Sequence, residues 1–287
     1  METNIDKLMS PGDEAQSNER RKQELVKNAF NAYIIFIDLT NSTGIKFEKP
    51  FPEWVGVMQH FYEMAISEFK KRKLEPIKFL GDAVMYFYPD FKEEKTLAYW
   101  NNRIANENMK EIPRDLTAKD LIEILVETKN KWWDFYKSYL SFDISRKNFL
   151  SITIAIDYGP VIDFNFQLGG NSPDPLGEAV DRCFRISSVA GPNQILLSKS
   201  FFQQLKKCDQ ESEKLVVPIS ISDQMLKGTK GENHLYYVIP KDEEIEWILD
   251  EKNKTLIEDS SKPFIHKVKL KLLRRKLDSF KGVQGGN

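Results

Sequence analysis

The sequence predicts one α/β domain over about residues 30–240, with a short leader before it and a tail after it. Short apolar runs rich in β-branched and aromatic residues alternate with segments whose apolar residues recur at every third or fourth position. Turns that contain Gly or Pro separate these segments. The chain of 287 residues is long enough for one large domain of this kind, or for two small ones.

Composition and charge narrow the classes of function. The formal net charge of −1 gives no general attraction to nucleic acid or to membranes, so neither is expected as a partner. Cys183 and Cys208 have no metal-ligand spacing, which argues against a zinc site and a disulfide framework. No apolar run reaches the roughly 18 residues of a membrane span, and the N-terminus has no apolar signal segment. We therefore expect a cytoplasmic protein without stable membrane insertion.

A polar leader precedes the first strand. Residues 1–29 contain few apolar side chains, although residues 19–31 are charged with sparse apolar positions and suit a short helix. The apolar, β-rich run Tyr33–Leu39 predicts a buried strand. Pro52 then opens a stretch whose apolar residues recur at three and four, which predicts a helix.

A hairpin and a helical insertion follow this helix. Apolar segments on either side of Gly81-Asp82 predict two strands joined by a tight turn. Residues 90–148 are helical in pattern and rich in Trp, Asn and Lys, and Pro113 divides them. We interpret them as an insertion of two helices.

Strands and helices alternate in the remainder of the domain. Ser151–Ile156 predicts a strand, after which Gly159-Pro160 is expected to turn the chain toward Val161-Ile162. Residues 177–190 predict a helix that Gly191-Pro192 ends. The last predicted elements are a strand, a helix and two strands, near residues 195–197, 200–207, 215–221 and 234–239.

A basic tail, residues 241–287, follows the domain. Its segment His266–Lys281 contains many basic residues and a single acidic one. The pattern suits a membrane-surface helix, a nucleic-acid arm, or a solvated helix that packs its leucines on the domain. We favour the last interpretation.

Two aspartates interrupt the apolar sequence of the predicted strands. Asp38 ends the first strand, and Asp82 lies in the hairpin turn. A charge in such a setting is costly unless it is paired or binds a metal. Two carboxylates at neighbouring strand ends can hold two divalent ions about 3.5–4 Å apart, which suits phosphoryl transfer. Either residue alone would be interpreted as an ordinary turn aspartate, but their joint sequence context favours a metal site.

Five motifs in order resemble those of the class III nucleotidyl cyclases. They are FIDLTNST at 36–43, KFLGDAVMYF at 78–87, IAIDYGPVI at 154–162, DPLGEAVDRCFR at 174–185, and Lys227-Gly228. Each motif alone is weak, but the ordered set, over roughly residues 30–240, is strong. The resemblance implies a ferredoxin-like βαββαβ cyclase catalytic domain with a helical insertion. It also implies an enzyme, a lyase, that converts a nucleoside triphosphate to a 3′,5′-cyclic nucleotide and pyrophosphate.

The resemblance assigns the metal and phosphate contacts. Asp38, Asp82 and the Leu39 carbonyl would bind two divalent ions, Mn²⁺ or Mg²⁺. Backbone amides after the first strand would hold the β- and γ-phosphates, in the manner of an anion nest. The nucleotide-binding set here comprises Phe36, Leu39, Thr40, Asn41, Ser42 and Thr43.

The resemblance also assigns four side chains to the rest of the nucleotide. Arg185 would stabilise charge on the α-phosphate in the transition state, and Lys227 would hold the polyphosphate. Lys78 and Asp174 would face the base. In this family the metals come from one domain and these four side chains from another. Because this chain has one domain and both halves of the set, the resemblance implies a head-to-tail homodimer with two equivalent sites.

Four positions depart from the family pattern. Asn41-Ser42 stand where many members have Gly-Phe, and Ala155 replaces the first Gly of its motif. Asp181 stands where many members have an Asn that positions the ribose and triphosphate. A carboxylate there would repel a polyphosphate unless a metal or Arg182 compensates. Asp181 therefore belongs to the candidate nucleotide-binding set with its role open.

A narrower resemblance concerns the base. DLTNST followed by FEKPFPEWVGVMQHFYE is similar to the stand-alone pyrimidine cyclases of bacterial Pycsar anti-phage systems. That group makes cyclic UMP or, less often, cyclic CMP, which a separate effector protein reads. The resemblance therefore implies a uridylate cyclase in antiviral defence. The polar groups of Lys78 and Asp174 suit adenine, cytosine and uracil alike, so these residues leave the base open.

Two other functions stay open. An adenylate cyclase would use Lys78 and Asp174 for adenine, and a mixture of four triphosphates would distinguish it. A catalytically inactive, nucleotide-binding cyclase homologue is favoured by Asp181 and opposed by the intact aspartate pair and Arg185. A diguanylate cyclase or polymerase palm would have a Gly-Gly-Asp/Glu turn, whereas this turn is Leu80-Gly81-Asp82.

Overall fold

A mixed sheet with helices on both faces forms the part of the chain described by the computed structural model, which is residues 28–107, 113–140, 150–163, 174–220 and 234–239. The strands are β1 (Phe30–Thr40), β2 (Lys78–Phe79), β3 (Ala83–Pro89), β4 (Ser151–Asp163), β5 (Pro175–Leu176), β6 (Gln194–Ser198), β7 (Val216–Ser220) and β8 (His234–Val238). The helices are α1 (Ser42–Glu48), α2 (Phe51–Lys71), α3 (Glu94–Glu107), α4 (Ala118–Leu140), α5 (Glu178–Val189) and α6 (Lys199–Cys208). A 3₁₀ helix, Gln210–Leu215, precedes β7.

The strand order is β2-β3-β1-β4-β6-β8-β7, and the short β5 pairs with β4. β1 lies inside the sheet, antiparallel to both β3 and β4. Its sequence is a nearly continuous apolar run because helices cover it on both faces. β6 is parallel to β4, and α5 connects the two strands as a crossover helix.

Alternate residues of β1 point to the two helical layers. Tyr33 packs its ring on Phe201 of α6, on the face that α2 and α4 also cover. Phe36 packs its ring on Phe184 of α5, on the opposite face. The alternating α/β pattern predicted from the sequence is therefore confirmed, and Asp38 lies on the same face as Phe36.

The range predicted to hold two helices contains α3 and α4. α4 is part of the core, since Leu121, Leu125 and Trp132 are almost fully buried against α2 and the sheet. Its apolar side chains therefore complete one of the two layers that cover the sheet.

Two local predictions were wrong. Gly159-Pro160 does not turn the chain, because both residues pair with β1 inside β4. Pro160 is tolerated there because β6 pairs with residues 153–156 and β5 with residues 162–163, so Pro160 has no ladder partner in either strand. The predicted leading helix does not extend to residue 31, since β1 begins at Phe30. Most of that helix, and the tail 241–287, lie outside the described residues.

Candidate active site

The two aspartates predicted to bind metal meet at one corner of the sheet. Asp38 is paired with Ala83 across β1 and β3, and the Leu39 amide donates to the Asp82 carbonyl oxygen at 2.9 Å. Asp82 follows Gly81 in the two-residue turn between β2 and β3. Gly81 has a φ of 68°, a left-handed conformation that would strain a residue with a Cβ. The hairpin prediction is confirmed, and Gly81 explains how Asp82 reaches β1.

Asn41 links β1 to Ser42, the first residue of α1, a helix that the sequence analysis did not predict. Asn41 has a φ of 63°, a conformation that Asn adopts more readily than most non-glycine residues. The Ser42 hydroxyl is buried and donates to the Asp82 carboxylate. A backbone contact alone was expected of Ser42, so its side-chain role was missed.

The segment after Asp38 offers further polar groups. The Thr40 hydroxyl oxygen is buried and has no hydrogen-bond partner among the described residues. The first amides of a helix have no carbonyl partner within it, and in α1 these belong to Ser42, Thr43 and Gly44. Phe36 is only 4% exposed and its ring packs 5.6 Å from that of Phe184, so its side chain belongs to the core.

Tyr62 of α2 supports the hairpin turn. Its hydroxyl donates to the Gly81 carbonyl oxygen, and its ring packs edge-on against Phe79 of β2. Partial burial, and then the charge of Asp82, raise the pKa of the Tyr62 hydroxyl, which therefore stays a donor at neutral pH. In the sequence Tyr62 was only one position of the apolar pattern of a helix, so its partner could not be predicted.

The two residues predicted to face the base contact each other. Lys78 Nζ lies 2.5 Å from Asp174 Oδ1, although 96 residues separate them in the chain. The Asp174 amide donates to Asp163 Oδ1 at 2.8 Å, which fixes the backbone next to this pair. The Lys78 and Asp174 side chains are 39% and 27% exposed, so a ligand can reach both.

Arg185 and Asp181 lie on α5, the helix that covers the Asp38 face of the sheet. Arg185 is half-buried and Asp181 is exposed. Arg182, which was considered as a compensating charge for Asp181, instead forms an ion pair with the buried Asp157. Its charge is already balanced, so it does not serve that purpose. Lys227 lies outside the described residues.

No group of three or more His, Cys, Asp and Glu side chains is arranged as a metal centre in the described ranges. The aspartate pair would therefore need backbone, substrate and water oxygens to complete a coordination shell. None of the helices within those ranges is both long and apolar enough to cross a bilayer.

Comparison with known proteins places this geometry in a known fold. No protein-family model matches the chain, and no curated protein matches its sequence. Solved structures do match. The adenylyl cyclase CyaB from P. aeruginosa is similar with a TM-score of 0.55 and 15% identity, over 74% of this chain and 95% of its own.

Guanylyl cyclases match to a similar extent. The guanylyl cyclase Cya2 has a TM-score of 0.54 and 15% identity, over 75% of this chain and 94% of its own. The guanylate cyclase domain of RhGC from Catenaria anguillulae, solved with GTP, has a TM-score of 0.51 and 16% identity, over 75% and 99%. The chain therefore has the mixed α/β fold of class III nucleotidyl cyclase catalytic domains.

Proposed function

We propose that the protein is a nucleotidyl cyclase that converts a nucleoside triphosphate to a 3′,5′-cyclic nucleotide and pyrophosphate. The main observation is that Asp38 at the end of β1 and Asp82 in the adjacent hairpin turn lie side by side at one corner of a sheet with the cyclase fold. In this reaction the ribose 3′-hydroxyl gives its proton to water as its oxygen attacks the α-phosphorus, and pyrophosphate leaves with the electrons of the broken P–O bond.

The donor set fits hard divalent cations. Asp38 and Asp82 supply carboxylates, the Leu39 carbonyl is adjacent, and the partnerless Thr40 hydroxyl adds an oxygen nearby. Such oxygen ligands suit Mg²⁺ or Mn²⁺. Two such ions, when bound, would acidify the attacking hydroxyl and neutralise charge on the polyphosphate. Ser42, by donating to Asp82, keeps that carboxylate oriented.

The remaining residues would hold the nucleotide. The amides from Thr40 to Thr43 would hold the β- and γ-phosphates, and Lys227 would hold the polyphosphate. Arg185 would stabilise charge that develops on the α-phosphate. Because the family builds its site between two domains, we place these groups in a head-to-tail homodimer with two sites.

We propose uracil as the base, with cytosine second. The resemblance of DLTNST and the following helix start to pyrimidine cyclases supports this choice. It also supports a cytoplasmic role in anti-phage defence, with a separate effector that reads the product. Because Lys78 Nζ and Asp174 Oδ1 already contact each other at 2.5 Å, a base must compete with this ion pair. The same pair would suit adenine, so an adenylate cyclase is the second candidate function.

The aspartate pair is tested by Asp38→Ala and Asp82→Ala. Each variant should keep the fold and lose cyclisation by about 10³-fold or more, since a metal ion stabilises the transition state by several kcal/mol. Turnover is measured with Mn²⁺ by detecting the cyclic product. Asp134→Ala, at an exposed carboxylate on α4, is the control and should be fully active. Near-native turnover by either site variant would exclude the two-metal mechanism.

A further inference from the structure

A buried ion pair holds α5 against β4. Asp157 of β4 is fully buried, and its carboxylate accepts hydrogen bonds from Arg182 of α5, at 2.6 Å from Nε and 3.1 Å from Nη2. The same Nη2 donates to the Tyr158 carbonyl oxygen at 3.3 Å. A bidentate arginine–carboxylate pair fixes the orientation of the guanidinium as well as its distance from the carboxylate. Arg182 therefore restrains the rotation of α5 about its own axis.

Two glycines allow α5 to approach this closely. A Cβ added at Gly159 would lie 3.3 Å from both Ala179 Cβ and Arg182 Nη2. A Cβ added at Gly177 would lie 2.7 Å from the Pro160 carbonyl oxygen, closer than real Cβ atoms come. The first turns of α5 are thus seated on β4 with little freedom to shift.

Arg185 lies one helical turn after Arg182. Residues three apart are neighbours on a helix surface, so the seating of Arg182 also sets where Arg185 leaves the helix. We infer that Asp157 and Arg182 are positioning residues for the cyclisation and act through Arg185. This inference rests on the proposed function and adds to it two residues whose side chains bond to each other.

Stability alone does not account for a pair of this kind. Desolvation of two charges offsets much of their attraction, and apolar pairs of similar volume are often at least as stabilising. Apolar side chains, however, cannot form the directional, bidentate hydrogen bonds of the Arg182 guanidinium. A displacement of about 1 Å in a catalytic group can cost on the order of 10²-fold in rate. The pair is therefore expected to affect turnover more than folding.

Arg182→Lys in the full chain tests the inference, because lysine keeps the charge and loses the fork. We expect kcat to fall about tenfold or more, and KM for the triphosphate that the wild type uses to change by less than about twofold. Arg72→Lys, at an arginine that is 44% exposed, is the matched control and should keep the wild-type kcat. An unchanged kcat in Arg182→Lys, or a loss confined to KM, would overturn the inference.

The same substitution in an Arg185→Ala chain distinguishes positioning from general damage. If Arg182 acts through Arg185, Arg182→Lys should lower kcat by less than about twofold in the Arg185→Ala chain. The effects of substituting two residues that act together are not additive. An equal loss in both backgrounds would mean that Arg182 does not act through Arg185.

A measurement that does not depend on enzyme activity distinguishes failure of this inference from failure of the proposed function. Should the wild type make no cyclic nucleotide, the proposed function fails. Amide hydrogen exchange along α5 then still tests the seating, and it should be faster in Arg182→Lys than in Arg72→Lys. Equal exchange in the two variants would overturn the positioning role.

Discussion

Asn41, three residues after Asp38, and Gly81, directly before Asp82, both have left-handed backbone conformations. These conformations turn the chain sharply enough for Asp82 and the start of α1 to reach the end of β1. The turn at Gly81 was predicted from the sequence, because Gly tolerates positive φ, whereas the turn at Asn41 was not predicted. The side-chain contacts of Ser42 and Tyr62 were not predictable, since their partners are 40 and 19 residues away.

Arg185 is expected to act chiefly in the transition state. A preorganised donor aimed at developing charge affects turnover more than ground-state binding. Arg185→Ala should therefore lower kcat by about 10²–10³-fold, with a much smaller change in triphosphate affinity. Arg185→Lys should rescue poorly, because lysine has no planar fork of donors.

Turnover and equilibrium binding of the triphosphate, measured for both variants and the wild type, check this expectation. Arg114→Ala, at an exposed arginine before α4, is a control for the loss of one positive charge. Normal turnover with weaker binding in Arg185→Ala would instead make Arg185 a ground-state contact.

Among the elements, long periodic segments were predicted well and short junctions poorly. α2, α4 and β1 follow from their apolar spacing, because burial of those faces dominates the energetics. Gly159-Pro160 was interpreted as a turn because both residues are typical of turns. In the structure the ladder with β1 and the close approach of α5 determine the backbone there. Tertiary contacts of this kind leave no local signal in the sequence.

α2 and α4 are joined by a buried carboxylate. Glu68 of α2 is almost fully buried and contacts Lys71 of α2 and Lys131 of α4, whose side chains reach solvent. Burial opposes ionisation of Glu68, but its hydrogen bonds with Lys131, Lys71 and Glu127 outweigh burial and lower its pKa from 4.5 to about 2. The charged form is therefore favoured in the folded protein.

Acid should weaken this contact. Because the folded-state pKa of Glu68 is lowered, its contribution to stability is complete above about pH 4.5 and is lost as the pH falls toward 2. We expect Glu68→Gln to lower the free energy of unfolding by on the order of 2 kcal/mol at pH 7, since the lysines are partly screened by water. The difference from wild type should shrink steadily below pH 4.5.

Denaturant unfolding of wild type and Glu68→Gln between pH 7 and pH 3 measures this difference. Glu63→Gln, at an exposed carboxylate on the same helix, should show little difference at any pH. A Glu68→Gln difference that does not depend on pH would mean that the lysines do not stabilise the charge.

At the scale of the whole molecule, the proposed homodimer shares each site between chains. Asp82→Ala removes a group from the metal half, and Arg185→Ala removes one from the other half. A mixture of equal amounts of the two inactive proteins should recover up to about a quarter of the wild-type activity. With random pairing, half of the dimers are heterodimers, and each heterodimer has one intact site out of two. The measurement is turnover after mixing, with each variant alone as the control. An active enzyme that is strictly monomeric would contradict the shared site.

Identification of the product tests the proposed activity most directly. The purified protein is incubated with Mn²⁺ and an equimolar mixture of ATP, GTP, CTP and UTP. The products are then separated and identified by mass spectrometry. We expect a 3′,5′-cyclic nucleotide and an equal amount of pyrophosphate, with cyclic UMP as the main product and none from Asp82→Ala. Cyclic AMP as the main product would overturn the choice of a pyrimidine and retain the cyclase. Release of nucleoside diphosphate and phosphate, or no product from any of the four, would contradict the proposed function itself.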